Sequence, residues 1–326
     1  MRLSNRNRQT EAGGHLETIF VSIASYRDPE CRWTVRDLFK KAVHTERIWV
    51  GICWQFQSPE DDWLFQPITR PGQVRCIGYD ARDSLGPCWA KSEAQKLWQA
   101  ESYLLSIDSH MRFAVAWDVS MIEMLKKCPS PKPILTTYPA PYRPPDKRSV
   151  CTPHIVAWEF QTDTGLLRLV GQNRHMDRPK RGAFLAGGFN FCSSSFIEEV
   201  PYDPHLYFYG EELSMSVRAW TWGWDVYSPH RCLIHHYYAP SNAPKHWRDH
   251  PQWWRLNQRS LDRVKRLLGI TVHPQNPAFL ESRFGLGEKR SIEDFEDFAG
   301  ISFSSRVVTE RARLGDFGPV ERPSFV

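Results

Sequence analysis

Short apolar runs alternate with helically spaced segments through the first third of the chain. Residues 18–25, Thr-Ile-Phe-Val-Ser-Ile-Ala-Ser, form a β-branched apolar run that stops on the polar group Tyr26-Arg27-Asp28-Pro29. Such a run predicts a buried strand followed by a loop. Over residues 34–43 the apolar positions Val35, Leu38, Phe39, Ala42 and Val43 fall at helical spacing, and residues 48–54 make a second strand. Strand, helix and strand in that order imply a parallel pair with a right-handed crossover, the opening unit of a nucleotide-binding α/β fold. A third strand is expected at residues 74–79, then a helix over 87–100 with Pro87 in its first turn. A fourth strand at residues 103–107 runs into Asp108-Ser109-His110.

Seven prolines fall within residues 129–145. They exclude regular helix and predict an extended surface passage that divides the nucleotide half from the rest. Beyond it the pattern gives strands near residues 155–160 and 183–192, a helix over 211–222 and a strand at 225–227. An apolar run at residues 231–234 ends in His235-His236, and residues 257–268 read as a helix closed by Gly269. The chain therefore divides into a disordered leader at 1–16, one α/β domain over 17–302 and a loose polar tail at 303–326. Inside the domain, 17–128 is the nucleotide-binding half, 129–150 the Pro-rich connection, 151–256 the second half, and 257–302 a helical extension.

Composition narrows the classes. With 326 residues the chain can bury a sizeable core. The net charge of +5 is spread along the chain without a Lys/Arg block, so no nucleic-acid partner is expected. Eight cysteines stand far apart with no CxxC pair, which argues against a zinc knuckle. Several lie in apolar runs, where a thiol acts as a small hydrophobe, and a reducing, cytoplasmic location is expected. Residues 1–14 lack the apolar core of a signal peptide, and no run of about 18 apolar residues occurs, so no membrane span is expected. The 14 tryptophans suit either a core built on large rings or a surface that stacks sugars and bases.

The candidate chemistry sits at strand ends, where open α/β sheets bind their ligands. Asp108 and His110, two apart, point to the same side and offer an acid and an imidazole to a divalent ion; a simple turn after a strand is the bland reading. A third ligand must come from distant sequence. His235 and His236 face opposite ways if they lie in a strand, so one of them can reach the ion; we take His236, with His235 as the alternative. Glu211 and Glu212 follow the ring-rich Tyr207-Phe208-Tyr209 and open a helix, where the dipole favours acids in any case. The functional reading is a carboxylate that accepts hydrogen bonds from sugar hydroxyls. Gly187-Gly188 permits a close backbone approach to a ligand, or is a plain turn. Arg82 and Asp83 precede the Pro87 helix, where they can contact ribose or phosphate. No GxGxxG or GxxxxGK[ST] motif occurs, so dinucleotide and P-loop sites are not supported.

Together these stretches resemble glycosyltransferase family 60, the polypeptide α-N-acetylglucosaminyltransferases. The resemblance rests on residues 19–29, on Val50-Gly51-Ile52-Cys53-Trp54-Gln55, on Gly86-Pro87-Cys88-Trp89-Ala90 with Leu97-Trp98, and on residues 107–113. It continues at Phe208-Tyr209-Gly210-Glu211-Glu212 and Phe298-Ala299-Gly300-Ile301, spanning roughly residues 18–302. A more distant similarity is to the polypeptide N-acetylgalactosaminyltransferases, which share an Asp-x-His motif and a Trp-Gly-Gly-Glu stretch. Here that stretch reads Phe208-Tyr209-Gly210-Glu211, so the sugar preference does not carry over. The resemblance implies a GT-A fold with a mixed central sheet, a UDP-sugar donor (most simply UDP-GlcNAc), Mn²⁺ or Mg²⁺, and retention of anomeric configuration. It implies Asp108, His110 and His236 (or His235) as metal ligands and Glu211 and Glu212 as the catalytic-site carboxylates, with no protein base assigned. Ser25, Tyr26 and Arg27 would lie beside the uridine, Arg82 and Asp83 near the ribose, and Ser109, Gly187 and Gly188 along the donor. The acceptor would be a hydroxyl on a protein or a glycan. The competing reading is a non-catalytic nucleotide-sugar or carbohydrate-binding protein that keeps the fold.

Overall fold

The computed structural model describes residues 17–62, 69–238, 244–270 and 283–318. The expected leader and the end of the tail lie outside the described residues. In chain order the first half holds β1 (Ile19–Tyr26), α1 (Cys31–Lys41), β2 (Ile48–Phe56), β3 (Val74–Asp80), α2 (Pro87–Gln95), β4 (Tyr103–Asp108), β5 (Met111–Phe113) and α3 (Trp117–Lys126). Then come β6 (Pro133–Thr136), β7 (Ala140–Arg143), β8 (Lys147–Arg148), β9 (Pro153–Phe160), β10 (Leu167–Asn173), β11 (Lys180–Arg181), β12 (Phe189–Ser193) and α4 (Ser195–Glu199). The remainder is α5 (Glu211–Thr221), β13 (Asp225–Ser228), β14 (Ile234–His236), α6 (His246–Asp249), α7 (Trp253–Leu267), α8 (Ile292–Ala299), β15 (Ile301–Ser302), β16 (Val307–Val308) and α9 (Glu310–Arg313).

Eight strands make one mixed sheet in the order β11-β13-β6-β12-β4-β1-β2-β3. The β4-β1-β2-β3 block is parallel throughout, as the opening pattern predicts. Strands β1, β2 and β4 read as near-continuous apolar runs because both faces are covered, whereas β3, at the sheet edge, has no buried residue. On one face Val21 and Ile23 pack with Val35, Leu38 and Phe39 of α1 and Trp117 and Met121 of α3. On the other, Phe20 and Leu104 meet Phe196, Met215 and Trp224. Each such fully buried side chain contributes about 1.5–3 kcal/mol. β12 then runs antiparallel to both β4 and β6, which is what makes the sheet mixed. The fold is α/β of GT-A type.

Four sequence expectations are corrected. The Pro-rich passage is not purely superficial: β6 lies inside the central sheet between β12 and β13, with Ile134 and Leu135 fully buried. Its prolines flank the Ile-Leu-Thr run, and Pro133 opens the strand, where the missing N–H costs little. α2 stops at Gln95 rather than running to residue 100, because the chain turns through Ala100 at φ +65° to enter β4. The strand expected from residue 183 begins only at Phe189, after an irregular passage through Gly187-Gly188. Residues 303–318 are not a loose tail. Phe303, Val308 and Ala312 are buried in a second core with Leu213 and Val217 of α5, Leu261 and Val264 of α7, and Phe295 and Phe298 of α8.

Candidate functional site

The carboxyl ends of β1 and β4, neighbours in the parallel block, deliver the first part of the site. β4 ends at Asp108, and the chain turns directly into β5, which pairs antiparallel with β14 in the register His236↔Met111 and His235↔Arg112. That register sets His236 beside His110, and Tyr237 N–H donates to the His110 carbonyl at 3.1 Å. The two imidazoles meet edge to face with centroids 4.6 Å apart. Nε2 of His236 lies 3.1 Å from Oδ2 of Asp108. One ligand atom from each of Asp108, His110 and His236 falls within 4.8 Å of the others. A carboxylate and two imidazoles are a donor set that suits Mn²⁺ and related divalent ions. His235 faces away, its Nε2 3.5 Å from the Cys232 sulfur, as alternation along a strand requires.

Asp28, just past β1, builds the support for this cluster. Its buried Oδ2 lies 2.6 Å from Nδ1 of His110 and accepts from the Ser109 hydroxyl at 2.5 Å. Nδ1–H donation to the carboxylate leaves the His110 Nε2 lone pair free for a metal, the usual carboxylate–histidine–metal arrangement. Burial acts to raise the Asp28 carboxyl, but the His110 ring and Ser109 outweigh it and hold it below the ordinary carboxylate range. At Asp108 burial is likewise overridden, by the hydrogen bond from His236 and the charge of Lys91, and its carboxyl lies far below the ordinary range. Ser109, expected along the donor, is buried and turned towards Asp28 instead.

The second part comes from the start of α5. Gly210 caps it at φ +88°, a left-handed conformation natural to glycine, and its α-carbon abuts Val264 of α7. Glu211 is buried against Lys91, whose Nζ donates to Oε1 of Glu211 and to the Gly187 carbonyl, each at 2.6 Å. The same ammonium stands 4.0 Å from Oδ1 of Asp108. Burial opposes the charge on Lys91, yet the facing acids dominate and its pKa lies well above the ordinary lysine value. Glu212 accepts from Gly187 N–H at 2.8 Å and from the Tyr138 hydroxyl at 2.7 Å. Burial pushes the Glu212 carboxyl up to about 7. Gly187 and Gly188 make room for these acids: a Cβ on Gly188 would sit 2.5 Å from Oδ2 of Asp108, and one on Gly187 would sit 3.3 Å from Oε1 of Glu211. Together these groups border a pocket of about 410 Å³ walled by the rings of Tyr138, Phe208, Tyr209 and Tyr238.

The residues expected at the uridine and ribose are close together but already engaged. Tyr26 donates to Oδ2 of Asp249 at 2.8 Å, and Arg27 donates to the same oxygen at 3.0 Å and to Asp61 at 2.6 Å. His246 and His250 stack at 3.9 Å, and the Tyr26 ring lies 5.1 Å from His246. The two imidazoles reach the loop of Arg82 and Asp83 through Ser84 O at 3.1 Å and Ala81 O at 2.9 Å. Arg82 is exposed and folded back on Asp80. Ser25 is fully buried in the strand, its carbonyl accepting from Gln55 Nε2 at 3.2 Å.

Sequence reasoning missed Asp28, Lys91 and Asp249. Asp28 had a signal, since it closes the polar group at the end of the first strand. Lys91 had one too: it falls at helical spacing with Cys88 and Ala94 on a buried face of α2.

The family described as Glycosyltransferase (GlcNAc) matches residues 18–67 and 64–305. Among curated protein sequences none matches. Among solved structures, GalNAc-T7 with UDP, GalNAc and Mn²⁺ is similar at 16% identity and a TM-score of 0.59, covering 87% of this chain and 56% of that one. The chain thus spans little more than half the length of that neighbour. S. aureus TarS 1-349 is similar at 9% identity and a TM-score of 0.48, covering 81% of this chain and 77% of that one. The first likeness shows the fold, and the family match extends over nearly all of it: the chain belongs to the GlcNAc glycosyltransferase family.

Proposed function

We propose that this chain is a metal-dependent, retaining glycosyltransferase that moves a sugar, GlcNAc, from a UDP-sugar to a hydroxyl on a protein or glycan. The observation that carries the reading is the convergence of Asp108, His110 and His236 beside a ring-walled pocket that also holds Glu211 and Lys91. Bound there, Mn²⁺ or Mg²⁺ would neutralise the donor diphosphate and stabilise it as a leaving group. Asp28 fixes the tautomer and direction of His110. Lys91 holds Glu211 in place, leaving its second oxygen to accept from the sugar hydroxyls, and Glu212 secures the Gly187 backbone beneath them. Tyr26, Arg27 and the 81–84 loop take the nucleoside end, exchanging their bonds to Asp249 for the ligand. No side chain is assigned as nucleophile, and the acceptor proton passes to a phosphate oxygen of the donor. The family description supports GlcNAc, and the GalNAc-T7 neighbour, crystallised with UDP and Mn²⁺, supports the nucleotide and the ion.

The division into a nucleotide half and a donor-sugar half belongs to the same reading. It is supported by a pocket that draws Lys91 and Asp108 from one and Glu211 and His236 from the other. All eight cysteines are free thiols, which supports a reducing, cytoplasmic setting. No described helix is long and apolar enough to cross a membrane.

The test is release of nucleotide from a panel of nucleotide sugars with Mn²⁺, with Mg²⁺ or with a chelator. UDP-GlcNAc should be turned over only with the ion, and Asp108→Asn, His110→Ala and His236→Ala should each lower the rate by about a hundredfold or more. Full activity in any of the three, or in chelator, overturns the reading. Tight UDP binding with no turnover of any donor would leave a non-catalytic binding protein. The anomeric proton coupling of the product, read by NMR, tests retention.

A further inference from the structure

A second recess, of about 570 Å³, is lined by Leu206 and Tyr207, which directly precede Phe208 and Tyr209 of the donor pocket. Its lining joins Leu85, Leu206 and Leu256 to the rings of His205 and Tyr207 and to Arg259, Arg263 and Arg266 of α7. These arginines fall three and four residues apart, so they share one helix face, and Arg255 extends the stripe by a further turn. The opposite face, Ser260, Leu261, Val264 and Leu267, is buried. Arg263 is anchored to the buried Asp203 at 2.5 Å. Arg259 and Arg266 are exposed and form no ion pair among the described residues. Asp262, the one acid among the lining residues, accepts from Gln258 at 3.0 Å.

The arginine face is tied rigidly to the donor pocket. The Ser260 hydroxyl accepts from Tyr207 N–H at 3.1 Å and donates to Tyr209 O at 3.0 Å. The chain passes from this recess at Leu206 and Tyr207 to the donor pocket at Phe208 and Tyr209, whose rings are 50% and 43% exposed. A ligand lying along this ridge of residues 206–209 meets lining residues of both recesses.

We propose that the arginine-lined recess docks an acidic stretch of a polypeptide acceptor, whose hydroxyl-bearing residue crosses the Phe208–Tyr209 ridge into the donor pocket; the acceptor role rests on the transferase reading. Guanidinium groups hold carboxylates in paired, directional hydrogen bonds. Leu85 and Leu256 beside them suit the side chains of a peptide, whereas a chain of sugar rings would call for open aromatic platforms, and the Tyr207 ring is buried. Charge complementarity here sets affinity and encounter rate without touching the chemistry.

The test uses the full chain and a fluorescein-labelled peptide alternating Glu with Leu around one Thr, followed by anisotropy. The wild type should bind it about tenfold more tightly than the same peptide with Gln for Glu, and Arg259→Glu with Arg266→Glu should remove that preference. The double variant leaves the Arg263–Asp203 pair intact, so it should keep its thermal midpoint and its acceptor-free release of UDP from UDP-GlcNAc with Mn²⁺. Equal binding of the acidic peptide by both proteins overturns the proposal, as does displacement of the peptide by polyglucuronate at a lower concentration than by unlabelled peptide. A wild-type chain that binds the peptide but turns over no donor overturns the acceptor role and the transferase reading, while the docking surface stands on the anisotropy.

Discussion

Single residues set the geometry of the metal cluster, and two adjacent glycines show how narrowly. Gly188 has no close backbone obstacle to a methyl group. What a Cβ would meet is Oδ2 of Asp108 at 2.5 Å and its Cγ at 3.3 Å. The carboxylate is the free end of a short side chain, so it would swing away and the fold would survive. Gly188→Ala should therefore weaken Mn²⁺ binding by about tenfold or more, a cost typical of a misdirected ligand, while the thermal midpoint barely moves. Gly187→Ala is the internal control. Its Cβ would come only to 3.3 Å of Glu211, a distance met by a shift of a few tenths of an ångström. Titration of free Mn²⁺ by its paramagnetic resonance signal distinguishes the two, and equal affinities in both variants would show that Asp108 is not a ligand.

At the scale of elements, the apolar pattern made β1, β2 and β4 of the parallel block legible because these strands are covered on both faces. The end of β4 was legible for the same reason: an acid and a histidine two apart stand out against a run that is apolar but for Ser106. The later elements were harder. β6 is hidden among prolines, since Ile134-Leu135-Thr136 is too short to register until β12 and β13 are seen to flank it. The choice between His235 and His236 depended on the pairing of β14 with β5, a register that no local pattern encodes. The C-terminal segment looked polar and loose, yet it is clasped by one buried histidine of β9. His154 donates from Nε2 to Gly315 O at 3.0 Å, and its Nδ1 accepts from the Ser228 hydroxyl at 2.9 Å. Burial lowers its pKa to about 4. An unfolded chain takes up the proton near pH 6.5 and the folded one only near 4, so this group's contribution is fully present above about 6.5 and is lost as the pH falls towards 4. That difference is on the order of 3 kcal/mol. His154→Gln should flatten the fall in urea midpoint between pH 7.5 and 5, leaving the share from His246, which burial lowers to about 4 as well. An unchanged slope would show that the clasp does not titrate.

For the whole molecule, the cluster joins segments that are distant in sequence. Asp108 and His110 follow β4, His236 ends β14 more than a hundred residues later, and Asp28 supports them from the end of β1. An ion held by all three ligands stabilises only the state in which β1, β4, β5 and β14 are assembled. By mass action a ligand at a hundred times its dissociation constant adds about 2.7 kcal/mol to the folded state. For a chain of this size that corresponds to a rise in thermal midpoint of about 4 °C. Mn²⁺ with UDP should produce that rise in the wild type, Mn²⁺ alone a smaller one, and UDP with a chelator almost none, because the diphosphate and the ion share one site. In Asp108→Asn the rise with both ligands should vanish. A rise of equal size in that variant, or one produced by UDP regardless of the ion, would place nucleotide binding elsewhere on the chain and separate it from the Asp-His-His cluster.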